Sequence, residues 1–168
     1  GGGAAATAVV AAVEEWTHHP LPRAALGRNT WLRDYDRRVA ASRADGETTV
    51  VAACLTPQGV GGAWAGDSVA WWVTETAITP LTRSSTAKPW IGSGAATVRF
   101  FAEPGPSSGW LVLATDGLVK YTSAEAISRV VRSTPFDETP RALIELVRYP
   151  SGRLPDDVAV IVARWVEG

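Results

Sequence analysis

Three short β-type runs follow one another between Thr48 and Thr74, and this spacing constrains the fold more than any other feature of the chain. Thr48–Leu55, Val60–Ala65 and Val69–Thr74 are rich in β-branched and small apolar residues. They are joined by Thr56-Pro57-Gln58-Gly59 and by Gly66-Asp67-Ser68, the residue types that tight turns need. The pattern predicts an antiparallel meander.

Helix-patterned segments precede and follow it. Ala4–Trp16 carries Val9, Val13 and Trp16 at spacings that form one apolar stripe, and His18-His19-Pro20 ends it, with Pro20 and Pro22 marking a loop. From Asn29, a candidate cap, Trp31, Tyr35 and Val39 recur every four residues, leaving Arg33, Asp34, Arg37 and Arg38 to a solvated face. Asp45-Gly46 then signals a turn. Ala77–Gly109 is rich in Pro, Ser, Thr and Gly and reads as the least ordered stretch, interrupted by a strand at Ala96–Ala102. Trp110–Ala114 is a short buried strand. Thr122 with Glu125 forms a capping box for a helix to about Arg132. Thr139-Pro140 opens another helix, with Leu143, Leu146 and Val147 as its buried face. Val158–Trp165, apolar and β-branched, reads as a central strand. Strands with helices on either side make an α+β chain in which sheets pack together and helices cover them.

Composition removes several function classes. The chain has 168 residues, 46% of them hydrophobic, which suits one globular unit with one core. A net charge of −1 without an extended basic run lacks the footprint of a nucleic-acid binder. The longest apolar stretch, Ala4–Val13, falls short of the roughly 20 residues a membrane span needs, and no Lys or Arg precedes it as in a secretory signal. The lone Cys54 cannot form an internal disulfide, so a cytoplasmic protein is expected. The chain contains no methionine, even at position 1, which reads as a domain whose natural beginning lies upstream.

The chemistry-bearing residues are three aspartates at strand ends: Asp67 in Ala-Gly-Asp-Ser, Asp116 in Ala-Thr-Asp-Gly-Leu and Asp156 in Pro-Asp-Asp-Val-Ala-Val. A strand holds each backbone while the carboxylate projects past the sheet edge. Carboxylate oxygens suit Mg²⁺ and Mn²⁺, and neither His nor Cys occurs at zinc-ligand spacing. Two such cations would activate water near neutral pH and clamp a phosphoryl group, which points to phosphate-ester hydrolysis. Taken singly, each Asp-Gly or Gly-Asp pair is more often plain turn chemistry.

Order and flanks add what single residues do not. Thr48-Thr49-Val50-Val51-Ala52-Ala53, Ala63-Trp64-Ala65-Gly66-Asp67-Ser68-Val69-Ala70, Leu111-Val112-Leu113-Ala114-Thr115-Asp116-Gly117-Leu118 and Pro155-Asp156-Asp157-Val158-Ala159-Val160-Ile161-Val162 resemble, in order, the metal-dependent serine/threonine protein phosphatases of the PPM or type 2C family. Gly1-Gly2-Gly3-Ala4-Ala5-Ala6 is similar to the start of the helix that follows the family's first Asp-Gly motif. The resemblance implies a four-layer αββα sandwich of antiparallel sheets flanked by helices, in a single domain over residues 1–168 that lacks its N-terminal strands. It also implies a monomeric, bacterial-type signalling hydrolase acting on phosphorylated protein, with two or three Mn²⁺ or Mg²⁺ ions. Asp116 matches a ligand of the second metal, Asp156 the aspartate of the C-terminal Asp-Asn motif, and Asp67 a ligand of a third, weaker metal.

Three departures accompany the match. The family's first Asp-Gly and its phosphate-gripping arginine have no counterpart, so the fragment alone is expected to be inactive. Asp157 stands where the family has Asn, adding negative charge beside the site. The substrate-contacting flap is reduced to a short stretch rich in Ser84, Ser85, Thr86, Gly92 and Gly94.

Other residues read more plainly. Arg83, Lys88 and Arg99 are ordinary solubilising charge, His18 and His19 a polar helix end, and Cys54 a small buried hydrophobe. Trp71 and Trp72 should face opposite sides of their strand, one of them partly exposed, and Trp90 is a candidate substrate or partner contact. Two rival readings are an N-terminal-threonine hydrolase built on Thr48 or Thr49, which would need a free terminal threonine, and a phosphatase-like binding module without catalysis.

Overall fold

The computed structural model describes residues 3–17, 31–41, 46–83, 88–104 and 108–165. These form two compact units, each assembled from separate stretches of chain: Gly1–Asp67 with Ser84–Glu103, and Ser68–Arg83 with Pro104–Gly168. The architecture is α+β. Among the described residues, two antiparallel sheets are flanked by helices.

In the first unit, α1 (Gly3–Thr17) and α2 (Trp31–Ala41) accompany a sheet of β1 (Val50–Thr56), β2 (Gly59–Ala65) and β5 (Arg99–Pro104), in the order β1-β2-β5. The first two strands form the predicted hairpin, registered from Val50↔Ala65 to Thr56↔Gly59. Thr56 closes the turn, its hydroxyl donating to the Gly59 carbonyl and accepting from the Gln58 amide. Val9 of α1 and Leu32 of α2 join Val50, Ala63, Ala65, Ile91 and Val98 in one apolar cluster. On α2 the buried residues are Leu32, Asp36 and Val39, with Trp31 and Tyr35 half-buried beside them. The side chains of Val13 and Trp16, and all of His18, His19, Pro20, Pro22, Asn29, Asp45, Ser84, Ser85 and Thr86, lie outside the described residues.

The second unit contains β3 (Val69–Val73), β4 (Ile78–Pro80), β6 (Gly109–Ala114) and β7 (Val160–Trp165) in the order β4-β3-β6-β7, with α3 (Asp116–Val119), α4 (Ala124–Ser133) and α5 (Thr139–Glu145). Alternation along the strands sets one face toward the helices. Val69 and Val73, Trp110, Val112 and Ala114 pack with Leu118, Ile127, Val131, Leu143 and Val147. Fully burying a side chain such as Ile127 or Leu143 stabilises by roughly 1.5–3 kcal/mol.

Four expectations are corrected. The meander ends after two strands. The third run pairs with β4 and β6, not with β2, because Gly66 at φ +96° turns the chain out of the hairpin path, with the Thr49 side chain packed where a Cβ would stand. The last run begins at Val160 and lies at the described edge of its sheet, with Ile161 64% exposed. Its β-branched sequence serves one buried face, where Val160 and Val162 meet the core. The cap of α4 is Ser123, one residue after Thr122, with its hydroxyl accepting from the Ala126 amide at 3.2 Å.

The fourth correction concerns the stretch expected to be least ordered. Asp36, 2% exposed, accepts the amides of Gly92 (2.7 Å) and Gly94 (3.0 Å) on Oδ1 and of Ala96 (2.8 Å) on Oδ2. Glu47 accepts the Trp90 amide at 3.0 Å. Two carboxylates thus hold the segment over 90–96 in place. A Cβ on Gly92 would stand 2.5 Å from the Gly46 carbonyl, so the loop is also closely packed.

Candidate metal centre

The centre is built where β6 and β7 end side by side. Strand β6 is apolar and buried throughout, and its register with β7 runs to Ala114↔Val160. Thr115 extends the pairing by one step. Its amide donates to the Ala159 carbonyl at 3.1 Å, and its hydroxyl accepts the Ala159 amide at 3.0 Å. The same hydroxyl lies 3.3 Å from the Asp157 carbonyl, to which it donates. Thr115 is extended (φ −74°, ψ 163°), and Asp116 opens the single turn α3. Asp116 is therefore fixed between a strand end and a helix start.

Gly117 decides how close the two aspartate-bearing loops come. A Cβ placed on it would stand 2.2 Å from the Asp157 carbonyl oxygen, 3.0 Å from its carbon and 3.3 Å from Asp156 Cβ. Only a residue without a side chain fits there. The Asp116-Gly117 turn and the Asp156-Asp157 loop are thereby pressed together, backbone against backbone. Asp156 Oδ1 accepts the Asp157 amide at 2.9 Å, which orients that carboxylate relative to its own loop.

Beside them lies an open cleft of about 510 Å³ lined by Thr115, Leu154, Asp156, Asp157, Val158 and Ala159. Asp156 and Asp157 are exposed, and the Asp116 side chain is 27% exposed, so the carboxylates are open to ions from solvent. The Lys120 ammonium, one turn along α3, donates to Asp116 Oδ2.

Of the three predicted aspartates, the structure brings Asp116 and Asp156 together in the second unit. Asp67 belongs to the first unit, buried at 7% exposure just beyond β2. Among the described residues, no three His, Cys, Asp or Glu side chains gather into a metal-binding group. The donors present nevertheless fit a hard divalent cation, since Mg²⁺ is commonly held by one or two carboxylates and keeps several waters.

Sequence reading passed over Thr115, Gly117 as a spacer, and Lys120. The glycine was visible as half of an Asp-Gly pair, but only the fold shows what it makes room for. Among the other candidates, Trp71 is half-buried and Trp72 buried, as their opposite facings predict. Trp90 is half-buried, with the Lys88 ammonium 5.0 Å from its ring. Cys54 is half-buried within β1. The Thr48 amide donates to the Ile91 carbonyl at 2.9 Å, which leaves this threonine an ordinary internal residue.

No sequence-family model matches the chain, and no curated protein matches it by sequence. Solved structures do. The Mycobacterium tuberculosis serine/threonine phosphatase PstP/Ppp superposes with a TM-score of 0.83 at 20% identity, covering 98% of this chain and 82% of that one. The PstP catalytic domain in complex with two manganese ions gives 0.76 at 22% identity, over 98% and 81%. The serine/threonine phosphatase Stp1 from Staphylococcus aureus gives 0.75 at 18% identity, over 92% and 74%. The likeness is one of fold, and the fold is that of these phosphatases.

Proposed function

We propose that the chain is a metal-dependent phosphatase domain that hydrolyses phosphoserine or phosphothreonine in proteins. The observation that carries this reading is the Gly117 contact, which presses the Asp116 turn against the Asp156 loop at paired strand ends, on a fold shared with serine/threonine phosphatases. Asp116 and Asp156 would hold a Mg²⁺ or Mn²⁺ ion, with Asp67 serving a further, weaker ion. When bound, such ions bring water acidity toward neutral pH and neutralise phosphoryl charge.

The chain's own residues supply position. Thr115 locks the end of β6 to the loop before β7, so the backbone segments that carry the two carboxylates are held side by side before any ligand arrives. Asp157 places a second negative charge beside Asp156, raising the local attraction for a divalent cation. The open cleft along Leu154, Asp156 and Val158 leaves a face accessible to a phosphorylated side chain.

The test is hydrolysis of a small aryl phosphate by the full-length protein with Mn²⁺ and with EDTA. Metal-dependent turnover should fall by about a hundredfold or more in Asp116→Ala and Asp156→Ala, each of which deletes a direct ligand, and by less in Asp67→Ala. Wild-type rates in both of the first two variants refute the assignment. A second reading, a phosphatase-like binding module, is favoured by one observation: the Asp116 carboxylate is already paired with Lys120. Absence of turnover in a folded protein that still binds phosphorylated peptide would select it.

A further inference from the structure

The geometry points to Lys120 as an internal cation that competes with a divalent ion for the Asp116 carboxylate and so sets how much free divalent ion the site requires. This inference rests on the metal-centre reading above and concerns the regulation of that same site.

The arrangement follows from local sequence. Asp116 lies in the first turn of α3 and Lys120 is its C-cap, four residues on. An acid placed N-terminal to a base at this spacing is the favourable order on a helix. The Lys120 amide also donates to the Asp116 carbonyl at 2.9 Å, so backbone and side chain of the lysine both fold back onto the aspartate. The ammonium is half exposed and the carboxylate 27% exposed. A pair this open is weak and exchangeable. It can be displaced, yet it biases the carboxylate toward a monovalent, protein-borne charge.

A divalent ion approaching Asp116 meets two obstacles that Asp156 does not share. The existing ion pair must open, and the released ammonium, tethered one turn away, repels the ion at short range. Asp156 and Asp157 contribute negative charge from the adjoining loop, which offsets part of this repulsion. The predicted result is a site that fills at higher metal concentration than two carboxylates would otherwise need. Lys120 thus tunes the affinity of the site for metal and is not a catalytic residue.

The experiment is Mn²⁺ binding to the full-length protein, read by loss of the free-ion electron paramagnetic resonance signal, with no substrate present. Lys120→Gln should bind Mn²⁺ about threefold to tenfold more tightly than wild type, the size expected for removing a competing exposed pair and its residual repulsion. Lys120→Arg, which keeps the charge, should stay near wild type. The gain should vanish when Lys120→Gln is combined with Asp116→Asn. Equal affinity in wild type and Lys120→Gln, or weaker binding in the variant, overturns the role of Lys120 and leaves the metal centre standing. No Mn²⁺ bound by either protein overturns both.

Discussion

Gly117→Ala isolates close packing from backbone preference. The glycine lies in the helical turn α3, where alanine is the better residue by about 1 kcal/mol, so propensity alone predicts a more stable protein. Packing predicts the opposite. The new methyl would start 2.2 Å from the Asp157 carbonyl oxygen, a rigid backbone atom, so the two loops must separate by roughly 1 Å to restore ordinary contact. Overpacking of that kind costs about 1–3 kcal/mol, which leaves a net destabilisation of up to about 2 kcal/mol after the propensity gain. In urea, followed by tryptophan fluorescence, the midpoint should fall by up to roughly 1 M. The same displacement moves Asp156 away from Asp116, and misplacement on this scale lowers turnover by about a hundredfold. Mn²⁺ binding should weaken in parallel. A variant with an unchanged or higher midpoint and wild-type metal affinity would refute the claim that Gly117 sets the spacing of the two loops.

Other outcomes follow from the same geometry. Asp36→Ala removes the acceptor of three half-buried amides and should cost about 2–3 kcal/mol in urea unfolding, with Asp36→Asn intermediate because one acceptor oxygen remains. Thr115→Val keeps the shape but removes the hydroxyl that links Ala159 and Asp157. It should cost about 1 kcal/mol in urea unfolding and measurably weaken Mn²⁺ binding. The Glu125 carboxyl is held below its usual 4.5 by a backbone hydrogen bond and then by the Ser123 hydroxyl. Its contribution to stability is therefore complete above pH 4.5 and is lost as pH falls through the lowered folded value. Ser123→Ala should move the Glu125 titration, followed by carboxyl carbon NMR, back toward 4.5, and an unmoved titration would remove the hydroxyl as a cause.

The sequence made the hairpin β1-β2 legible because its turn chemistry is local: Thr56, Pro57, Gln58 and Gly59 specify it by themselves. The helices α4 and α5 were legible for the same reason, with the cap displaced by one residue because Thr122 and Ser123 are equally suited by type. What escaped depends on partners distant along the chain. The ordering of residues 90–96 comes from Asp36 and Glu47, more than forty positions earlier. The edge position of β7 could not be read from its apolar run, since a strand needs only one apolar face to be retained. For the site, the aspartates announced themselves by their Gly and Asp neighbours and Lys120 lies within local reach of Asp116, whereas the tie through Thr115 became visible only when two strand ends met.

The order of strands in the second sheet also sets a timetable for synthesis. Residues 69–73 of β3 emerge before their partner β6, which begins at Gly109, and β6 in turn awaits β7, which begins at Val160. At roughly 5–20 residues per second, β3 waits seconds with an unpaired flank. The turn bearing Asp116 gains its neighbour Asp157 only after about forty further residues have been made. A nascent chain interrupted before Asp156 would therefore display an Asp-Gly turn without the loop that completes it, and any affinity for divalent ions should appear abruptly once residues 156–165 have emerged.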